Sequence, residues 1–422
     1  MAAEGPELNL PMPRIILISG KGGVGKTTVA AATAAAIARH GYRTLVLSFD
    51  LAHSLRDSFN CQDLAAGGKA SEPINLAPNL DCQEIDVYEE LERDWGPVYR
   101  YVSGLMSHGG LDSALADELA VIPGMEDLAA LMVIDRYFTQ DRYDVIVLDC
   151  PPTGASLRFV GLAAGLKTYA RQRLKKERKL VSMVRPLARM VTHTGFYLPD
   201  DEFFDSLSKI VDRIEALEKL LVDPQVTTVR LVCTPENIVM RETMRAFMYF
   251  GMYGIHVDLA VVNRLFQTDD PYFTQWAAAQ SVQLQQIQSN LKGTPVAVVP
   301  MFPDEVYGME ALRKVGQIIY GDQDPAAVIT PADSVRVRGA DASGPDRLEV
   351  DLPFVSKDQI EVIREAGTLA LRVGTFQRRL PLPPLLASRP MAEAKLENGM
   401  LTVRFLPGEP LRETSTINAT VP

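Results

Sequence analysis

The chain has 422 residues, of which 47% are hydrophobic and 23% charged, and its formal net charge is −10. This length exceeds one ordinary core and this composition is that of a packed chain, so a large domain of about 300 residues plus a smaller one is expected and general disorder is excluded. The acidic balance excludes nucleic acid as the main partner, and four cysteines (Cys61, Cys82, Cys150 and Cys233) without a CxxC pair exclude a disulfide framework and an ordinary zinc site.

The first segment, Met1 to Pro6, is acidic and has no apolar run, unlike a secretory signal or an Arg-rich transit peptide. No stretch approaches about eighteen uninterrupted apolar residues, so no stable membrane insertion is expected. The expected compartment is the reducing cytoplasm, or a plastid stroma if a targeting segment has been removed upstream.

From Arg14 to Tyr320, short β-branched runs alternate with longer helical stretches: Ile15 to Ser19, Thr44 to Phe49, Val145 to Asp149, Val229 to Cys233, Leu259 to Asn263 and Val296 to Val299. Continuous apolar strands separated by helices predict an α/β fold with a doubly wound, mostly parallel sheet over residues 14–320. Ligands of such sheets bind at the carboxyl ends of the strands, where Lys21, Asp50, Asp149 and Asn263 fall.

The first strand runs into Gly20-Lys21-Gly22-Gly23-Val24-Gly25-Lys26-Thr27-Thr28. This is the P-loop spacing in the strand-to-helix setting it requires. Its backbone N–H groups close around phosphate, Lys26 reaches the β and γ phosphates, and the Thr27 hydroxyl is a candidate Mg²⁺ ligand. ATP/ADP and Mg²⁺ are therefore the expected cofactors. Lys21 has two readings: a solvated surface lysine, or a residue that crosses a homodimer interface and stabilises charge developing on the partner's phosphates. Asp50 opens Asp50-Leu51-Ala52-His53-Ser54 and either caps the next helix or orients the attacking water. Asp149 ends an apolar strand, as a carboxylate holding Mg²⁺ through water does. It is followed by Thr153-Gly154, a segment suited to a switch.

Two insertions, about 88–142 and 157–223, read as helical. In the second, Phe203, Leu207, Ile210, Ile214, Leu217 and Leu221 recur at helical spacing. Met106, Met125, Met132, Met183 and Met190 are candidates for a client groove between them, or else core fillers. Lys167 to Lys179 reads as a solvated basic face, or as a rim that meets acidic or membrane-proximal clients. The stripe Met240, Met244, Met248, Met252 reads as buried packing. Residues 321–346 turn to Gly, Asp, Ala, Pro and Ser and read as a linker. Residues 347–406 alternate with period two around an Asn398-Gly399 turn and predict a small antiparallel β-sandwich, followed by a tail over 407–422.

These residues resemble the deviant Walker A ATPases, and within them the arsenite-pump ATPase and the related ATPase that guides tail-anchored membrane proteins. Lys21 matches that family's signature lysine. Asp50 to Ser54 is similar to its switch I, with Leu51 in place of proline, and Asp149 to Arg158 to its switch II, with Ala155 in place of histidine. Pro235-Glu236 and Val262-Asn263 resemble the purine-side contacts. Pro300-Met301-Phe302-Pro303-Asp304 resembles the loop flanking the adenine, which adds Glu236, Asn263, Pro300, Phe302 and Asp304 to the nucleotide-binding candidates. Pro123 to Asp127 resembles the start of a client-binding helix. The segment Ala394 to Leu401 resembles the α-crystallin signature of small heat-shock proteins, an appendix that the cyanobacterial and plastid branch of the family carries. The resemblance implies a homodimeric ATPase that captures or targets hydrophobic protein segments, tail-anchored ones among them. The tail-anchored targeting enzymes hold zinc with a CxxC pair, so its lack here leaves zinc unexpected. A metalloid efflux motor and a partition or positioning ATPase are the alternatives.

Overall fold

The computed structural model describes residues 13–48, 54–61, 72–108, 125–151, 176, 178–181, 183, 198–267, 270–291, 293–330, 335–339, 345–352, 355–365, 367–374, 376–397, 399–406 and 415–418. The chain divides into two compact units, residues 1–227 with 302–327, and residues 228–301 with 328–422.

In the first unit the strands run in the order β3-β4-β2-β5-β1. They are β1 (Arg14–Gly20), β2 (Thr44–Ser48), β3 (Ile74–Ala77), β4 (Leu80–Glu84) and β5 (Val145–Asp149). All pairs are parallel except the outer β3–β4 hairpin. Every residue of β1, β2 and β5 is buried, as strands covered on both faces require. The alanine-rich α1 (Lys26–Arg39) lies under α8 (Gly308–Tyr320). Gly316 makes the approach possible, because a Cβ there would sit 2.9 Å from the Ala32 carbonyl oxygen. Tyr320 Oη and Thr33 Oγ1, 2.7 Å apart, lock the two helices together.

The helical insertions form α3 (Val87–His108), α4 (Met125–Thr139) and α5 (Asp201–Val222). α5 starts where the Asp200 carboxylate accepts from the Phe203 N–H at 2.8 Å, and it buries Phe204, Ile210, Val211, Ile214, Leu217 and Leu221. A chain of ion pairs ties the three helices. Glu90, fully buried, accepts from Arg136; Arg136 reaches Asp94 at 3.0 Å; Arg213 reaches Asp94 at 2.9 Å and Asp135 at 2.6 Å. Met132 is fully buried beneath them, with its carbonyl oxygen accepting from Arg213. It is core packing, which corrects its reading as groove surface. Met183 is 58% exposed, while the side chains of Met106, Met125 and Met190 lie outside the described residues.

The second unit opens with three parallel strands in the order β6-β7-β8: β6 (Thr227–Cys233), β7 (His256–Leu265) and β8 (Val296–Pro300). With them come α6 (Asn237–Tyr253) and α7 (Thr274–Asn290). A fully buried ion pair, Arg230–Asp258 at 3.5 Å, crosses from β6 to β7.

The antiparallel sandwich follows in the same unit, as two four-stranded sheets ordered β14-β15-β10-β9 and β13-β12-β11-β16. The first holds β9 (Val335–Gly339), β10 (Pro345–Asp351), β14 (Met391–Glu397) and β15 (Met400–Phe405). The second holds β11 (Ile360–Glu365), β12 (Thr368–Val373), β13 (Phe376–Pro381) and β16 (Ser415–Asn418), and α9 (Pro384–Ala387) precedes β14. The β14–β15 hairpin closes Glu397 against Met400, with Gly399 at φ +78° as a tight turn of the right hand demands. Inward residues such as Leu348, Val362, Leu371 and Val403 share one core with Met248 and Met252 of α6, so that half of the methionine stripe is buried against the sandwich.

Two segments differ from their sequence reading. β9 lies within the stretch read as linker, and β16 within the stretch read as tail. The stretch is also pinned. Asp324 accepts from the Tyr42 hydroxyl at 2.7 Å and the Ala326 carbonyl from Arg14 at 3.1 Å in the first unit; in the second, Asp258 accepts from the Ile329 N–H at 3.3 Å and His256 contacts the Thr330 carbonyl. Polar composition does not distinguish a free linker from one whose backbone is used as acceptor and donor.

Candidate nucleotide site

β1 delivers the chain to the phosphate loop and α1 leaves from it. Gly23 and Gly25 stand at φ +81° and +94°, the left-handed region in which a side chain is strained. Gly25 is also the N-cap of α1, with no side-chain cap and no acidic residue in the first turn, so the first amides of the helix face outward with the positive end of its dipole. Val24 packs inward at 2% exposure while Gly22 and Gly23 are exposed. The loop is anchored from inside and open on its outer rim. Lys26 is buried to 8% exposure, and its ammonium donates to the Lys21 carbonyl oxygen at 3.3 Å, which folds the side chain back over the loop.

The cation end is assembled from three elements. Thr27 Oγ1 stands 3.4 Å from Ser54 Oγ, the first residue of α2 (Ser54–Phe59). Parallel register sets Asp149 of β5 level with Ser48 of β2 and Ile18 of β1, and Ser48 level with Glu84 of β4. Asp149 is 1% exposed. Hydroxyl and carboxylate oxygens are the donor set that Mg²⁺ takes, and an uncapped helix start with left-handed glycines is the cradle that phosphate takes; the residues present fit both.

Glu84 is a supporting residue that the sequence did not disclose. Its carboxylate accepts from the Arg56 N–H at 3.1 Å and pairs with the Arg56 guanidinium at 3.2 Å, fixing the start of α2 and hence Ser54. β4, Leu-Asp-Cys-Gln-Glu, is short and polar, so it carries no strand signal of its own; its place is set by pairing with β2.

Of the other candidates, Asp50, His53, Thr153 and Gly154 lie outside the described residues. Phe302 and Asp304 follow in the first unit, half-buried and exposed. In the second unit Glu236, exposed, stands at the start of α6 without a side-chain bond to the helix amides and accepts from the Thr234 hydroxyl at 3.3 Å. Asn263 ends the buried part of β7, and its side-chain oxygen accepts from the Arg264 N–H at 3.0 Å, with Arg264 at φ +60°. Buried Gln280 clamps this turn, accepting from the Phe266 N–H at 2.7 Å and donating to the Arg264 carbonyl at 3.3 Å. Pro300 stands level with Leu265, and the Met301 N–H donates to the Leu265 carbonyl at 2.8 Å. A glutamine in the middle of a helix gave no hint of that clamp.

A buried parallel strand, a left-handed glycine loop, a folded-back lysine and a hydroxyl at the helix start define a P-loop nucleotide-binding domain. A family model described as anion-transporting ATPase matches residues 13–321, and one described as an HSP20-like domain found in ArsA matches residues 344–405. The chain belongs to this ATPase family, with the HSP20-like domain as its sandwich. It is 36% identical over 396 residues to a protein of Aquifex aeolicus provisionally named an arsenical pump-driving ATPase, covering 92% of this chain and 99% of that one. A protein of Chlorobaculum tepidum with the same provisional description is 33% identical over 397 residues, covering 93% and 96%. The ATPase GET3 of Phaeosphaeria nodorum is 31% identical over 324 residues, covering 73% and 95%.

Proposed function

We propose that the chain is a homodimeric ATPase that couples Mg·ATP binding and hydrolysis to the capture or targeting of hydrophobic, tail-anchored protein segments. The observation that carries the coupling is the contact between Thr27 and Ser54. It joins the phosphate loop to the residue that closes the switch I sequence, so a change at the cation end is passed to α2. Bound Mg·ATP supplies the phosphoanhydride and the charge neutralisation that its cleavage needs. The glycine loop and the start of α1 would hold the phosphates, Lys26 would orient them, and Thr27 would ligate the cation, with Asp149 holding it through water. Asp50 orients the attacking water, Lys21 stabilises charge on the partner's phosphates, and Glu236, Asn263, Pro300, Phe302 and Asp304 seat the base.

Exposed apolar side chains support the client end. Leu180 is 63% exposed and Met183 58%, in a segment that also carries exposed Lys176, Arg178 and Lys179, and Leu105 of α3 is 48% exposed. The likeness to the ATPase GET3 supports it too. No helix among the described residues is long and apolar enough to cross a membrane.

Lys21→Ala is the deciding variant. It keeps Mg·ATP binding by calorimetry and loses hydrolysis, whereas Lys26→Ala loses both; unchanged turnover in Lys21→Ala removes the dimeric mechanism. Failure of the wild type with ATP to hold a hydrophobic helical peptide in solution removes the client.

The provisional names of two relatives favour a second reading, an arsenical pump motor. Against it, all four cysteines are buried, and burial pushes the thiols of Cys61 and Cys82 up and that of Cys233 to about 12, away from the thiolate that a metalloid requires. Arsenite-stimulated hydrolysis would reinstate it.

A further inference from the structure

Within the second unit, α6 and the open end of the β11–β12 hairpin enclose a groove of about 820 Å³, the size of a small-ligand site. Its floor is made by side chains of the core: Met248 of α6, Ile360 of β11 and Val373 of β12, with half-buried Tyr249 and Val355 as walls. The register sets Ile360 opposite Val373 and Glu361 opposite Arg372, so the alternation that turns the apolar pair inward turns the charged pair outward. The charges around the groove are of two kinds. Glu361 is taken by Arg372 at 2.8 Å, and the Asp358 carboxylate is held by the hydroxyl of Ser356, which starts the turn Lys357–Gln359. Arg245 and Lys357 are exposed, and neither has a carboxylate at ion-pair distance among the described residues. Two uncommitted cations beside an apolar floor stand out in a chain of net charge −10.

We propose that this groove binds an amphipathic anion, a molecule with one acidic head group on a flexible apolar chain. The head group takes Arg245 and Lys357, and the chain lies over Met248, Ile360 and Val373, where it removes apolar surface from water. The other occupants fit worse. β11 already has β12 on one side and β16 on the other, so an extended peptide finds no free sheet edge beside the groove to register it. A helix is about 10–12 Å across with its side chains, so two turns of it need about 1000 Å³, more than the groove holds. A cationic amphiphile meets Arg245 and Lys357 as like charges. A bare anion leaves the floor in water, and an uncharged chain leaves the two cations without a partner.

Both cations are exposed, so the double variant Arg245→Gln with Lys357→Gln folds as the wild type does by circular dichroism and melting. Calorimetry of the full chain is the first test, with Mg·ADP added to occupy the phosphate loop and each probe below its micellar concentration. The wild type binds dodecanoate or dodecyl phosphate, and the double variant binds the same probe about tenfold or more weakly. Binding of one probe and not the other names the head group and upholds the site; binding of neither overturns it. Equal binding of dodecyltrimethylammonium, or undiminished binding by the double variant, overturns it as well. The second test places the probe. Dodecanoate carrying a nitroxide on its chain is added to protein labelled with ¹³C at the methionine methyls, with Met248→Leu, a volume-conserving change, to assign the signal. Broadening of the Met248 signal upholds the groove. A Met248 signal left sharp overturns it, and broadening at exposed Met183 instead gives the amphiphile to the apolar segment proposed for clients.

Discussion

Gly316 stands where α8 crosses α1, and the 2.9 Å left between a Cβ at that position and the Ala32 carbonyl is filled by backbone, which cannot rotate away. Gly316→Ala therefore pushes the helices apart and costs about 1–3 kcal/mol in urea denaturation, as overpacking does. Tyr42 acts at the same scale through a proton. Burial, and then the hydrogen bond to Asp324, raise its hydroxyl from 10 to about 12. The folded state thus holds a proton that the unfolded chain has lost between those values, so this contribution is complete below pH 10 and is lost as pH rises towards 12. Tyr42→Phe removes that part of the alkaline loss; denaturation midpoints from pH 9 to 12 compare the two chains. The phosphate loop was legible residue by residue, because its glycines and lysine are local requirements of backbone geometry. Glu84 and Gln280 were not, because their roles exist only once β4 lies beside β2 and α7 lies behind the β7 turn.

Three helices of the insertion are joined by charge as much as by apolar contact. Arg213 alone bridges Asp94 of α3, Asp135 of α4 and the Met132 carbonyl, and it is 31% exposed. Removing it takes this ion pair from Asp135 and leaves Asp94 to Arg136, both carboxylates standing in largely desolvated places. Arg213→Ala is expected to cost about 1–3 kcal/mol after allowance for solvent screening, read as a lower urea midpoint that 1 M salt reduces little. A substitution of the exposed pair Arg100–Glu202, both 68% exposed, is expected to move the midpoint by less than about 1 kcal/mol. The apolar period of α5 was legible in Ile210, Ile214, Leu217 and Leu221, four of its six buried positions, whereas Phe204 and Val211 are buried where the sequence reading had Phe203 and Leu207. The ion network was not, since charges on separate helices carry no common period.

At the scale of the molecule, the sandwich is part of the core of the second unit rather than an appendage. Met248 and Met252 of α6 enter its interior, Gly251 faces the Asp351 carbonyl, and Arg378 donates to the Gly251 carbonyl at 3.5 Å. Met252→Ala is expected to cost about 2–5 kcal/mol, and probes on α6 and on the sandwich should report a single transition at the lowered midpoint. Two separate transitions would show that the shared core does not couple them.

What the sequence determined by itself was whatever is encoded within a few residues: the glycine loop, the apolar strands, the period of α5 and the alternation of the sandwich. Each is a local demand of backbone torsion or of burying one face, and each carried through to the family to which the chain belongs. Tertiary structure alone decided that Met132 is core, that residues 324–330 of the polar stretch are pinned and 335–339 form a strand, and that the uncharged α7 lies at the surface. Those properties depend on which distant residues arrive alongside, and burial, pairing and exposure are relations between segments that no single segment carries.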